Sequence, residues 1–213
     1  MPNRVVKYYI PFVPNADINY LYLFKLYQNA CYNKQTKCYD TITYQSTKNL
    51  AEMLDLSEST IKRLLKDTRY NDYFMIDKSN KTIILYNDMR QSGKPFVCLD
   101  KYEVYFLCNQ ADNLLCKYLL YIKYYCGYSK NGETDFTANQ FLTACGYSLN
   151  SNYPSKLSDY NSLLVDYGYI SIKRKRDEMG HLRNIYSYHH WGATQNTMKR
   201  LSNTEKPWSE IIS

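Results

Sequence analysis

The chain has 213 residues, of which 45% are apolar, 16% aromatic and 22% charged, enough to fill one or two packed interiors and too apolar for a wholly disordered chain. Seven Gly and six Pro exclude a collagen-like or linker-dominated protein, and no apolar run reaches the ~18–20 residues of a membrane span. Lys plus Arg exceed Asp plus Glu by 27 to 20, a net charge of +7 that favours a polyanionic partner.

Lys7 and the Tyr8-Tyr9 pair interrupt any secretory apolar core near the start, so the expectation is a soluble, cytoplasmic chain with no membrane partner. The seven cysteines, Cys31, Cys38, Cys98, Cys108, Cys116, Cys126 and Cys145, include no Cys-x-x-Cys pair and are expected to be reduced and mainly buried, with no disulfide framework or structural zinc. Twenty-five tyrosines exceed ordinary packing needs. An AT-rich genome would enrich Tyr, Asn, Lys and Ile together; hydroxyls that bond phosphates are the functional alternative.

In chain order, residues 8–13 form a strand-like run, and Ile18, Leu21, Tyr22, Phe24, Leu26 and Ala30 are spaced for a helix over 17–31. After a polar loop come two short helices, 47–54 and 57–67, and strands over 73–77 and 82–86 around the turn Lys78-Ser79-Asn80-Lys81. The pattern then returns. Residues 94–99 are strand-like, 112–125 are helical through Leu115, Cys116, Leu119, Leu120 and Ile122, and a polar loop leads to helices over 137–145 and 154–167. Strands over 169–175 and 182–188 flank Asp177-Glu178-Met179-Gly180. Helix, helix, helix, hairpin is the order of a winged helix, and two copies indicate a duplicated domain rather than a solenoid. The expected fold is mainly α with small β-hairpins (α+β), as two tandem winged-helix domains over 1–92 and 93–190, a linker at 87–93 and a polar C-terminal tail at 191–213.

Residues 47–66 carry the functional reading. Two helices that cross at a tight turn need a small residue where their backbones approach, here Ala51, and branched residues that close over it, here Ile61 and Leu64. Ser57 suits the N-cap of the second helix and Glu58 its positive end. Leu50, Ala51, Leu54, Leu56, Ser57, Thr60, Ile61, Arg63 and Leu64 resemble the helix-turn-helix of winged-helix regulators and of plasmid or phage replication initiators from low-GC bacteria. Asp55 stands where many relatives have Gly, and Asp tolerates the left-handed backbone such a turn requires. On the outer face Ser59, Lys62, Arg63 and Lys66 fall at i, i+3, i+4 and i+7, so the second helix presents cations to a major groove.

In the second copy, Leu157, Tyr160, Leu164 and Tyr167 form the packing face of the third helix, leaving Ser155, Asp159, Ser162 and Asp166 outside. Two carboxylates oppose close insertion beside phosphates, so the candidates there are the N-terminal residues Asn150, Asn152, Ser155 and Lys156. Between residues 168 and 200, Lys173, Arg174, Lys175, Arg176, Arg183, Lys199 and Arg200 stand against Asp177 and Glu178, and 7 minus 2 places +5 of the +7 in that stretch. Lys173, Arg174, Lys175, Arg176 and Arg183 suit a wing lying along a phosphate backbone or in a minor groove.

No phosphate loop, HExxH, nucleophile elbow or clustered Cys/His ligand set is present, and His189-His190 lacks the His-hydrophobic-His spacing of a rolling-circle nickase. His181, near the basic wing, is expected to be a solvent-exposed hairpin residue. No catalytic activity, metal or cofactor is expected. The resemblance implies sequence-specific binding to double-stranded DNA and replication initiation on a plasmid, phage or other mobile element, with a second copy of the chain or a replication-machinery protein as further partner. A transcriptional regulator with the same binding mode and a winged-helix protein-interaction module are the alternatives.

Overall fold

The structure is a computed structural model that describes residues 6–34, 38–86, 95–110, 112–149, 152–180 and 182–189. The expected linker at 87–93, the tail at 191–213, Asn150, His181 and His190 lie outside the described residues. The described residues form seven α-helices and nine strands, a mixed α+β chain. It divides into two compact units, Met1–Asn113 and Leu114–Ser213.

The first unit runs β1 (Lys7–Pro11), α1 (Tyr20–Gln28), β2 (Cys31–Asn33), β3 (Cys38–Thr43), α2 (Thr47–Met53), α3 (Glu58–Leu64), β4 (Phe74–Asp77), β5 (Thr82–Leu85), β6 (Phe96–Asp100) and α4 (Lys101–Gln110), with a 3-10 turn at Thr68–Tyr70. Asn19 starts α1 by accepting the Leu21 amide at 3.0 Å, and the Asn29 amide closes it on the Leu26 carbonyl at 3.1 Å. The caps trim the helix to nine residues and bury Tyr20, Leu23, Phe24, Leu26 and Tyr27. Residues 38–43, part of the expected polar loop, are instead a strand, with Asp40 and Ile42 buried and Tyr39 and Thr43 outward. β5 lies between β3 and β4 in a sheet ordered β2-β3-β5-β4.

The two strand-like runs that open the sequence copies pair with each other: β1 and β6 are antiparallel, with Lys7 opposite Asp100 and Pro11 opposite Phe96. α4 follows at once through a reciprocal cap. The Asp100 carboxylate accepts the Tyr102 and Glu103 amides, both at 2.9 Å, and the Glu103 carboxylate accepts the Asp100 amide at 2.7 Å, which offsets the cost of burying both acids. α4 packs on α1, so the first unit extends to Asn113, beyond the expected linker.

The second unit contains α5 (Asn113–Tyr128, whose first residue is the last of unit one), β7 (Glu133–Asp135), α6 (Ala138–Ala144), α7 (Tyr153–Asp166), β8 (Ile170–Arg176) and β9 (Leu182–Tyr188), in a sheet ordered β7-β9-β8. With β1, β2, β6, α4 and the 3-10 turn set aside, both units share one order: helix, strand, helix, helix, strand, strand, with the last of these strands between the other two. This holds for α1-β3-α2-α3-β4-β5 and again for α5-β7-α6-α7-β8-β9.

The turn after the second helix repeats atom for atom. Asp55 takes φ 49°, the Leu56 amide donates to the Ala51 carbonyl at 3.0 Å and the Asp55 amide to Glu52 at 3.2 Å. In the second unit Gly146 takes φ 74°, Tyr147 donates to Leu142 at 2.8 Å and Gly146 to Thr143 at 3.1 Å. Both are left-handed helix stops that satisfy the terminal carbonyls. In α1, Lys25 Nζ donates to the Asp55 carbonyl at 2.8 Å and to its carboxylate at 3.3 Å, fastening the first turn to the helix beneath it. Replacing Asp55 by Val, which resists this backbone, is expected to cost about 1–2 kcal/mol in urea unfolding. Asp55→Gly is expected to change stability little, because the lost surface ion pair is worth roughly 0–1 kcal/mol.

Tyrosine is a principal core residue. Tyr20, Tyr27, Tyr118 and Tyr169 are fully buried. Tyr27 donates to the Tyr86 carbonyl at 3.0 Å, Tyr20 and Tyr73 hydroxyls lie 3.4 Å apart, and Tyr118 donates to Asn161 at 2.8 Å. These hydroxyls are spent on the interior, not held out toward phosphates. All seven cysteines are free; Cys116, Cys126 and Cys145 are buried, Cys38, Cys98 and Cys108 half-buried and Cys31 exposed. Burial pushes the Cys126 thiol up to about 11 and those of Cys108 and Cys145 up to about 12, so they are protonated near neutrality.

Candidate nucleic-acid interface

α2 and α3 are two helices separated by the Asp55 turn. Leu50, Ala51, Leu54, Ile61 and Leu64 are buried where they cross, as the apolar spacing requires. Ser57 caps α3, its hydroxyl accepting the Thr60 amide at 3.2 Å and lying 2.9 and 2.8 Å from the hydroxyls of Ser59 and Thr60. Those three candidates thus form one bonded cluster at the start of the helix.

Lys62, Arg63 and Lys66 are exposed on the outer face with Ser59. Lys62 pairs with Glu58 one turn back at 2.8 Å, an exposed contact worth about 0.3–0.5 kcal/mol and easily exchanged for a phosphate. Among the described residues Arg63 and Lys66 have no ion pair. Arg63 and Thr60 also border a polar cleft of about 240 Å³ whose lining includes Tyr22 and Arg69. Arg69, which belongs to no motif of the sequence, is exposed but already paired: it bonds Asp17 and grips both Asp67 oxygens through Nε, at 2.9 and 3.0 Å. That grip holds the Asp67 carboxyl below its ordinary range.

The third helix of the second unit has the face expected of it. Leu157 and Leu164 are buried, Tyr160 and Tyr167 half-buried, and Ser155, Asp159, Ser162 and Asp166 exposed. At its start Asn152 makes no side-chain cap, Ser155 donates to the Asn152 carbonyl at 2.8 Å, and Lys156 is exposed.

Lys173, Arg174, Lys175 and Arg176 are all exposed on β8, opposite Ile185, Asn184, Arg183 and Leu182 of β9. Strand alternation places Lys173 and Lys175 on one face and Arg174 and Arg176 on the other. Three of the wing's cations are already engaged. Lys173 bonds Glu133 of β7 at 3.0 Å, Arg183 bonds Asp177 at 2.9 Å with Asp135 at 3.7 Å, and Arg176 donates to the Gly180 carbonyl at 2.8 Å. The Lys173 bond, with help from the Ser187 hydroxyl, holds the Glu133 carboxyl low. Arg174 and Lys175 have no ion pair among the described residues. The cationic excess counted along the sequence is thus reduced by acids on β7, a strand within the expected polar loop.

Among the described residues, no cluster of three or more His, Cys, Asp or Glu could hold a metal ion, and no helix is long and apolar enough to cross a membrane. No family model, curated protein or solved structure matches the chain.

Proposed function

We propose that each unit is a winged helix and that the chain binds double-stranded DNA sequence-specifically, initiating replication on a plasmid, phage or other mobile element. The observation that carries this reading is the α2–α3 corner, with Ala51 and Ile61 buried at the crossing and Arg63 and Lys66 facing water without ion partners among the described residues. A helix of this kind fits a major groove, where Arg pairs with guanine and Lys with guanine or phosphate. The shared strand order of the two units supports the winged-helix assignment, and the motif residues support the initiator role by resemblance. In this scheme α3 reads bases, while Arg174 and Lys175 of the second hairpin hold backbone.

The test begins with duplexes selected from a random pool by the full chain. Arg63→Ala is expected to cost about 1–3 kcal/mol on the selected site and to relax its sequence preference. Equal loss on selected and random duplexes would assign Arg63 to phosphate instead. Preferred sites iterated at an origin support initiation, and a single site at a promoter supports the regulator. The exposed Asp159 and Asp166 on α7 favour a second reading, in which this unit docks a protein; absence of duplex binding at low salt would favour it for the whole chain.

A further inference from the structure

The turn of the second unit's hairpin carries an exposed apolar side chain. Asp177 Oδ1 accepts the Met179 amide at 3.0 Å, the Gly180 amide donates to the Asp177 carbonyl at 2.9 Å, and Gly180 sits at φ 83°. Arg176 and Arg183 brace the turn from the two strands, through the Gly180 carbonyl and the Asp177 carboxylate. These bonds tie residues 176–180 and Arg183 together, which lowers the ordering entropy this part of the turn loses on binding.

What this braced turn presents is Met179, 84% exposed, with Leu182 at 60%. Met179 is the most exposed large apolar residue among those described. Its side chain contributes nothing to the core, and its contact with water is unfavourable until an apolar partner covers it. Behind it stand Arg174, Lys175 and Arg176. A narrow turn with an unbranched apolar tip and cations on the strands behind has the chemistry of a minor-groove wedge, in which Met or Leu enters between base pairs while cations hold the flanking phosphates.

We propose that this hairpin enters the minor groove of the bound duplex, that Met179, backed by Leu182, inserts at a base step and kinks the DNA, and that Arg174 and Lys175 hold the phosphates on either side. The inference rests on the DNA-binding reading and adds a mechanism to it: deformation at a chosen step. Pyrimidine–purine steps unstack most easily, so the second unit selects sequence through deformability, without hydrogen bonds to base edges. Glu178 stands next to Met179 and opposes the same phosphates, so Glu178→Gln is expected to tighten binding and Glu178→Lys to tighten it further.

The experiment uses the full chain on its selected duplex, with end-to-end energy transfer to read the bend and a fluorescent purine analogue moved step by step to read unstacking. The wild type is expected to bend the duplex by about 20–90° and to brighten the analogue at one step. The double variant Met179→Ala, Leu182→Ser is expected to bind more weakly, to leave the duplex nearly straight and to lose the fluorescence rise, while Met179→Leu restores both signals. Both side chains are exposed, so unchanged circular dichroism and unfolding midpoints are expected. A bound but straight duplex, or a double variant that bends as the wild type does, would overturn the wedge and leave the DNA-binding reading standing. No binding to any duplex at low salt would overturn both.

Discussion

Tyr118→Ala is expected to lower the unfolding free energy of the second unit by about 3–5 kcal/mol, the range for deleting a buried ring. The Tyr118 ring is 1% exposed and meets the rings of Phe141 at 4.9 Å, Phe136 at 6.0 Å, Tyr186 at 6.3 Å and Tyr160 at 6.4 Å. One side chain on α5 thus joins α6, α7 and β9. Its hydroxyl, whose pKa burial raises well above the ordinary value, donates to Asn161 at 2.8 Å and lies 3.1 Å from the Tyr186 hydroxyl. Tyr118→Phe keeps the ring and strands the Asn161 oxygen, so it is expected to cost about 1–3 kcal/mol. Urea titrations should show the two midpoints in that order with similar slopes. Equal midpoints for Phe and Ala would place the stabilisation in the hydroxyl, and a Phe variant equal to wild type would deny the hydrogen bond any net contribution.

Removing Arg174 and Lys175 together is expected to weaken binding to every duplex and to flatten the dependence of log K on log salt by about 1.8, at roughly 0.9 for each phosphate left without its cation. Over a fourfold rise in salt the variant should then lose about tenfold less affinity than the wild type. Lys173→Ala is expected to move the slope much less, because Glu133 already holds that ammonium. Isothermal titrations on random duplex at several salt concentrations would separate these results. A double variant with the wild-type slope would place the hairpin away from the backbone.

The parts of the fold that depend on local chemistry were legible in the sequence. Ala51, Ile61 and Leu64 mark the α2–α3 crossing because a tight corner restricts residue size, and Asp55 was readable as left-handed because few other side chains accept that backbone. The buried side of α7 followed from Leu157 and Leu164 at helical spacing. β3 and β7 were not legible: β7 has only three residues, and the strand that each joins, β5 or β9, lies far along the chain. α4 was hidden for a related reason. Its Asp100–Glu103 cap is a local signal, but its polar and apolar residues do not separate cleanly around the helix. Among the candidate DNA-binding residues, exposure on α3 and β8 could be anticipated, whereas the pairing of Lys173 with Glu133 depends on a sheet neighbour forty residues away.

The union of β1 with β6 also bears on how the protein is made. A chain leaving the ribosome presents its N-terminal end first, and domains usually fold in that order. Here the first unit completes its two-stranded β1–β6 sheet only after Asp100 has been synthesised, since Lys7 must wait for it, and α1 gains its α4 cover later still. Until then the nascent first unit carries an unpaired strand, the kind of surface that holding chaperones protect.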